Sequence, residues 1–177
     1  SYSVTGVQTC ALPILDIVQS LRYFVRSEID EKIPVDIHEL INNVLTILMN
    51  EYKNRINIEK NFMLKDLLVC NPGKITQVFM NILFNAIQAI PEKGTIYIAT
   101  SLDNNKIHIS IKDTGIGIAE EHIKHIFEPF FTTKAIGKGT GLGLSITYKI
   151  IEQHNGQIFV SSKKGKEIGR ASCRERV

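Results

Sequence analysis

Two glycine-rich stretches are the residues of this sequence best suited to handling an anion: Asp113-Thr-Gly-Ile-Gly-Ile118 and Gly137-Lys-Gly-Thr-Gly-Leu-Gly-Leu-Ser145. Glycine lets a backbone approach a phosphate closely and adopt positive φ, so that several N–H groups can converge on one anion. The second stretch runs straight into an apolar helical pattern, Leu142, Leu144, Ile146, Ile150 and Ile151. That puts its glycines at a helix N-terminus, where free N–H groups and the helix dipole favour phosphate. Between the two lie a short amphipathic piece and Phe127-Glu-Pro-Phe-Phe-Thr-Thr-Lys134, a segment that reads as a lid. The chemistry implied is nucleotide binding.

Asn81 and Asn85 add a second element. They stand four apart on the longest helical pattern, so they share a face, while Ile75, Val78, Phe79, Ile82, Leu83, Ala86 and Ile87 bury the opposite side. Two amides then point into the cleft that this helix lines. An amide oxygen is a hard ligand suited to Mg²⁺, which keeps several waters and takes its other ligands from phosphates. Alone, such a pair is better explained as solvated or capped. Beside two glycine clusters it becomes a candidate metal and phosphate site.

The elements that position these residues follow from periodicity. A narrow stripe (Leu15, Val18, Leu21, Val25, Ile29) reads as one helix of a two-helix seam. Pro34 interrupts it, and Asp36 is an N-cap candidate for a helix to about Tyr52. Ile56–Phe62 alternates as a strand, and Leu67–Cys70 is a short buried strand. Pro72 and Pro91 bracket the long helix at 74–90. Strands follow at 94–101 and 106–112, turning at Asp103-Asn104-Asn105, then one or two helical turns at 120–127. A helix from Leu142 to His154 stops at Asn155-Gly156, and 157–161 is a strand. The pattern is an α/β fold, specifically an α+β two-layer sandwich: one mixed, mostly antiparallel sheet with helices on one face.

Composition narrows the class. The 177 residues carry 44% hydrophobic side chains and a net charge of +3 with both signs interspersed, enough for one core and no case for nucleic acid. No apolar run reaches the ~18–20 residues of a membrane span. Residues 1–14 and 168–177 differ in character from the rest and resemble translated adapter sequence, so the native domain is expected to be 34–167 with its last strand missing. Cys70 is then the one remaining cysteine, which fits a reducing, cytoplasmic compartment.

Four segments together resemble the ATP-binding domain of sensor histidine kinases. Asn81-Ile-Leu-Phe-Asn85 is similar to its N box, Asp113-Thr-Gly-Ile-Gly117 to its G1 box, Phe127-Glu-Pro-Phe-Phe131 to its F box and Gly139-Thr-Gly-Leu-Gly-Leu144 to its G2 box, in family order. The resemblance covers about 34–165 and implies a Bergerat-type fold that binds ATP with Mg²⁺. Residues 15–33 then resemble the end of the dimerisation and phosphotransfer hairpin. The parent protein would be a homodimer through that hairpin, serving a response regulator receiver domain.

Carried over residue by residue, the resemblance implies that Asp113 accepts a hydrogen bond from the adenine amino group. Gly115, Gly117 and Ile118 pass the base and ribose. Asn85 holds Mg²⁺ with Asn81 beside it, while Phe130 and Phe131 pack the lid. Thr133 and Lys134 reach the phosphates, and Gly137, Gly139, Thr140, Gly141, Leu142, Gly143 and Leu144 cradle them. Asn81 and Lys134 are the catalytic candidates. Related ATPases of the fold usually carry Glu at the Asn81 position to activate water. An amide is no general base, which favours transfer to a protein nucleophile over hydrolysis. Gln88 stands where many relatives carry a basic residue facing the phosphates.

The resemblance implies that the family's acceptor histidine is to be expected ahead of this stretch of sequence. His38-Glu39 mimics two letters of the acceptor box but follows Pro34; His108, His122, His125 and His154 read as structural or solvated, with the dipole favouring a charge on His154. The fragment is expected to bind ATP without phosphorylating itself. Two alternatives stay open: a hydrolytic ATPase of the same fold, and a non-catalytic interaction module weakened by Gln88 and a lost strand.

Overall fold

A computed structural model describes residues 31–104, 106–134 and 139–163, with the backbone of 166–176. The seam helix expected at 15–31, and Gly137 of the second glycine stretch, lie outside the described residues.

In chain order the elements are β1 (Ile33–Val35), α1 (Ile37–Tyr52), β2 (Ile56–Phe62), β3 (Leu68–Cys70), α2 (Pro72–Ala89), β4 (Gly94–Asp103), β5 (Lys106–Asp113), α3 (Glu120–Ile123), α4 (Gly143–Gln153), β6 (Gln157–Lys163) and β7 (Lys166–Arg176). The five-stranded sheet runs β2-β4-β5-β7-β6, and β1 pairs with β3 in a separate antiparallel ladder. Within the large sheet β2 and β4 are parallel, and the other neighbours are antiparallel. This is the mixed sheet that hairpin logic predicts.

Alternation decides which face is buried. Ile96, Ile98 and Thr100 of β4 and Ile107, Ile109 and Ile111 of β5 are buried, whereas Tyr97 and Leu102 are exposed. The buried face meets α1, α2 and α4 in one core. Six side chains of α2 (Ile75, Val78, Phe79, Leu83, Ala86, Ile87) enter that core. At about 1.5–3 kcal/mol per large side chain, their burial outweighs the few tenths per residue lost to the helix's β-branched and Asn positions.

Local chemistry fixes the helix ends. Asp36 accepts from His38 N at 2.8 Å, and Asn71 accepts from Lys74 N at 3.0 Å, each capping its helix. Arg55 closes two C-termini at once. Its Nε donates to Glu51 O and its Nη2 to Ile87 O, each at 3.2 Å, and its Nη1 donates to Ile90 O. Carbonyls at the ends of α1 and α2 thereby gain a donor, Ile87 O accepting from Ile90 N as well. His154 is buried between α4 and α2. Its Nε2 accepts from Asn71 N at 3.2 Å, and its Nδ1 lies 2.8 Å from Ile150 O. A ring nitrogen that accepts a backbone N–H bears no proton, so this histidine is neutral here, in place of the dipole-stabilised cation the sequence suggested.

Two elements depart from the sequence reading. Pro34 lies inside β1, at an edge where the missing N–H costs no ladder bond. The strand thought missing is filled by the tail itself: β7 sits between β5 and β6, with Ile109 opposite Cys173 and Val160 opposite Ala171. Main-chain pairing accepts any proline-free segment long enough to span the gap, so compositional oddness does not exclude a strand.

Candidate nucleotide site

The site forms where α2, the loop after β5, the lid and the start of α4 meet. Asp113 ends β5, and its Oδ1 accepts from Gly115 N at 2.8 Å, turning the chain sharply. Burial pushes its carboxyl up from the ordinary value, against the opposing pull of the Gly115 N–H. A desolvated carboxylate at a strand end is a strong acceptor for a ligand amino group.

The loop behind it is fastened on three sides. Thr114 N donates to Thr95 O at 3.1 Å, and its hydroxyl accepts from Thr95 N at 2.9 Å. Ile116 N donates to Ala89 O at 2.9 Å, which ties the loop to the last turn of α2. Ile118 N donates to Ser162 Oγ of β6 at 2.8 Å. Gly115 passes so close to α2 that a Cβ would fall 2.5 Å from Ala89 O, so glycine is required there by space.

The amides of α2 do not act as a matched pair. Asn81 Nδ2 donates to Gly143 O at 2.9 Å and to Thr147 Oγ1 at 3.3 Å, which anchors the first turn of α4. Asn85 and Gln88 point elsewhere: Asn85 Oδ1 accepts from Lys134 Nζ at 3.2 Å, and Gln88 Oε1 accepts from the same ammonium. Partial desolvation lowers the Lys134 pKa, although the residue as a whole stays exposed. Two amide oxygens converge on one cation here, and such a pair would suit a divalent ion that arrives with phosphate charge.

The second glycine stretch leads into α4, whose N-cap, Leu142, makes no side-chain cap bond. The open N–H groups of the Gly143 and Leu144 turn therefore suit an anion. Thr140 Oγ1 accepts from Leu142 N at 3.4 Å, and a Cβ on Gly139 would meet Lys134 Cδ at 3.0 Å, so this segment and the lid lysine are neighbours. Gly141 has φ +65 and exchanges a bond with the lid, its O accepting from Phe130 N at 2.9 Å.

Phe130 and Phe131 behave differently. Phe131 lies 5.6 Å from His122 and 5.8 Å from His125, ring to ring. Phe130 is 73% exposed at φ 67, which corrects its expected packing role. Its left-handed backbone serves the bond to Gly141 and leaves the ring outward. Thr133 is exposed in the lid, and Gly117 adopts φ 71 in the first loop.

Sequence reasoning missed Thr147, which is fully buried and holds Asn81. Its signal was a hydroxyl on the core stripe with Ile150 and Ile151. Arg55 and Ser162 gave no signal, because their partners are backbone atoms distant in sequence.

A Bergerat-type sheet, a partly buried carboxyl at a strand end and a glycine stretch at a helix start together make the frame of an ATPase module. The histidine kinase-, DNA gyrase B-, and HSP90-like ATPase family matches residues 70–171, and the chain belongs to it. Within that family its likeness is to kinases. It is 45% identical over 123 residues to sporulation kinase E of Bacillus subtilis (strain 168), covering 67% of this chain and 16% of that kinase. The catalytic domain of histidine kinase ThkA superposes with a TM-score of 0.72 at 31% identity, over 83% of this chain and 99% of that domain. ThkA in complex with the response regulator TrrA superposes at 0.73 with 27% identity, over 93% of this chain and 48% of that one. The chain is thus a histidine kinase-type ATP-binding catalytic domain, a small part of the length of the curated kinase it matches. No described helix is long and apolar enough to cross a membrane.

Proposed function

We propose that this domain binds ATP with Mg²⁺ and passes the γ-phosphoryl group to a histidine on the dimerisation hairpin of its parent protein, for relay to a response regulator receiver domain. The reading for the parent is a cytoplasmic catalytic end, homodimeric through that hairpin. ThkA, which this chain resembles, forms a complex with a response regulator, and this supports the partner class.

The observation that carries the transfer reading is the state of Asn81. Its nitrogen is spent as a donor on Gly143 O and Thr147 Oγ1, and an amide so held neither accepts a proton nor activates water. Bound Mg²⁺, held at Asn85, would supply charge neutralisation on the phosphates. The chain's own groups supply the rest. Asp113 fixes the base, the α4 N–H groups orient the phosphates, and Lys134 offsets negative charge as the terminal phosphoryl departs.

The five histidines support an acceptor outside the domain. His38 Nε2 is bonded to Thr100 Oγ1 at 2.7 Å and its ring stacks on Phe62, His154 is buried, and His122 and His125 flank Phe131. His108 lies on β5, away from the glycine cradle.

The test is titration with a fluorescent ATP analogue, with Asp113→Ala as the control that abolishes binding. Addition of a separate hairpin bearing an acceptor histidine should then give acid-labile phosphate on the hairpin. Steady phosphate release that Asn81→Ala leaves unchanged would favour the hydrolytic ATPase instead.

A further inference from the structure

Three amides, Asn81, Asn85 and Gln88, recur at i, i+4 and i+7 along one stripe of α2. Asn81 is turned toward α4. The other two present oxygens to a single ammonium, that of Lys134 in the lid segment. An amide offers either a donor or an acceptor, and when two converge on a cation their oxygens must face it.

Lysine's ammonium is a compact point charge. Its position between two hard oxygens therefore marks where a small cation is favoured by this chain. We propose that Gln88 is a second metal-facing amide beside Asn85, and that the Lys134 ammonium occupies the cation's place until a nucleotide-borne Mg²⁺ displaces it. This inference rests on the ATP and Mg²⁺ reading above and assigns Gln88 an oxygen-donor role, in place of a contact to phosphate.

Both ligands are neutral. Two amide oxygens cannot draw a divalent ion from water without further negative charge, which the phosphates bring. The exchange is consequently coupled to nucleotide: metal enters with the phosphates, and the freed ammonium pairs with phosphate charge. The domain alone should hold no divalent ion, and the gain in nucleotide affinity from Mg²⁺ should depend on Gln88.

Gln88 is exposed, so substitutions there spare the core. ADP affinity is measured by calorimetry in EDTA and in Mg²⁺, and the ratio of the two is the metal coupling. Gln88→Leu should lower that ratio about tenfold, the effect typical of losing a group that tunes a metal site. Gln88→Glu should restore or raise it, and Lys134→Met should weaken binding in EDTA while raising the ratio. An unchanged ratio in Gln88→Leu overturns the inference. So does an equal loss in both buffers for Gln88→Leu and Gln88→Glu, which would place the side-chain N–H groups on phosphate. A wild-type chain that binds no ADP in either buffer overturns the nucleotide reading, and this inference with it.

Discussion

Asn81 Nδ2 donates across 2.9 Å to Gly143 O, joining the middle of α2 to the first turn of α4. One side chain thus couples the helix that carries Asn85 and Gln88 to the helix that follows the second glycine stretch. Asn81→Asp preserves shape and removes the donor, setting carboxylate oxygen against carbonyl oxygen. The expected cost is about 1–3 kcal/mol of stability, the range for leaving a partly buried partner unsatisfied. Asn81→Ala should unfold less readily than Asn81→Asp, since it adds no repulsion. Thermal melts of the wild type and the two variants check the order; variants that melt with the wild type would show that the bond contributes nothing.

Gly141 governs how the lid meets the cradle. A Cβ there would lie 2.3 Å from the carbonyl carbon of Phe130, on a residue already at φ +65. Gly141→Ala must therefore move the Phe130 backbone or abandon the left-handed turn, at about 1–2 kcal/mol. The strain falls on the loop, outside the core, so the loss should appear as nucleotide affinity more than as global stability. Gly73→Ala, whose Cβ would meet Asn71 Oδ1 at a tolerable 3.4 Å, is the control expected to bind normally. Parallel titrations distinguish the two.

Much of this arrangement was legible in the sequence because it rests on local rules. Asp36 and Asn71 at helix starts, alternation in β4 and β5, and glycine clusters at a strand end and a helix start all carry their signal in neighbouring residues. What was hidden depends on distant partners. The spacing of Asn81 and Asn85 placed them on one face, but only the approach of Gly143 and Thr147 turns Asn81 away from the cation held by Asn85. Pro34 read as a breaker, since the sequence does not show that β1 is an edge strand. The tail read as foreign, and the ladder it completes is defined by the open edges of β5 and β6, which lie elsewhere in the chain.

That ladder makes a sharp prediction about β7. Deletion of 166–176 leaves β5 and β6 without their shared neighbour, exposing two unpaired edges. The truncated chain should self-associate and lose its cooperative melt. If main-chain pairing is what β7 contributes, replacing 168–176 with an alternating Val/Thr strand should return a monomer that binds nucleotide. Size-exclusion chromatography and melting curves read both outcomes. A truncated chain that stays monomeric and melts cooperatively would show the strand to be dispensable.

Asp113 sets stability against binding. Its carboxyl titrates above the ordinary value because burial strips water from the charged form. The folded state therefore binds this proton more tightly than the unfolded state does. Stability accordingly falls as pH rises through the window between the ordinary and the raised value, and the full penalty persists at all higher pH. Asp113→Asn removes that charge, and its amide oxygen can still accept from Gly115 N. The variant should be more stable than wild type at neutral pH, with the two converging once pH drops below the window. Binding should move the other way. On the proposed contact to the adenine amino group, replacing a charged acceptor by a neutral one should cost roughly 1 kcal/mol, about fivefold in affinity. Melting temperature and ADP affinity measured together across pH check both signs. A variant that melts lower than wild type at neutral pH would show that the Asp113 charge stabilises the fold, contrary to the desolvation argument.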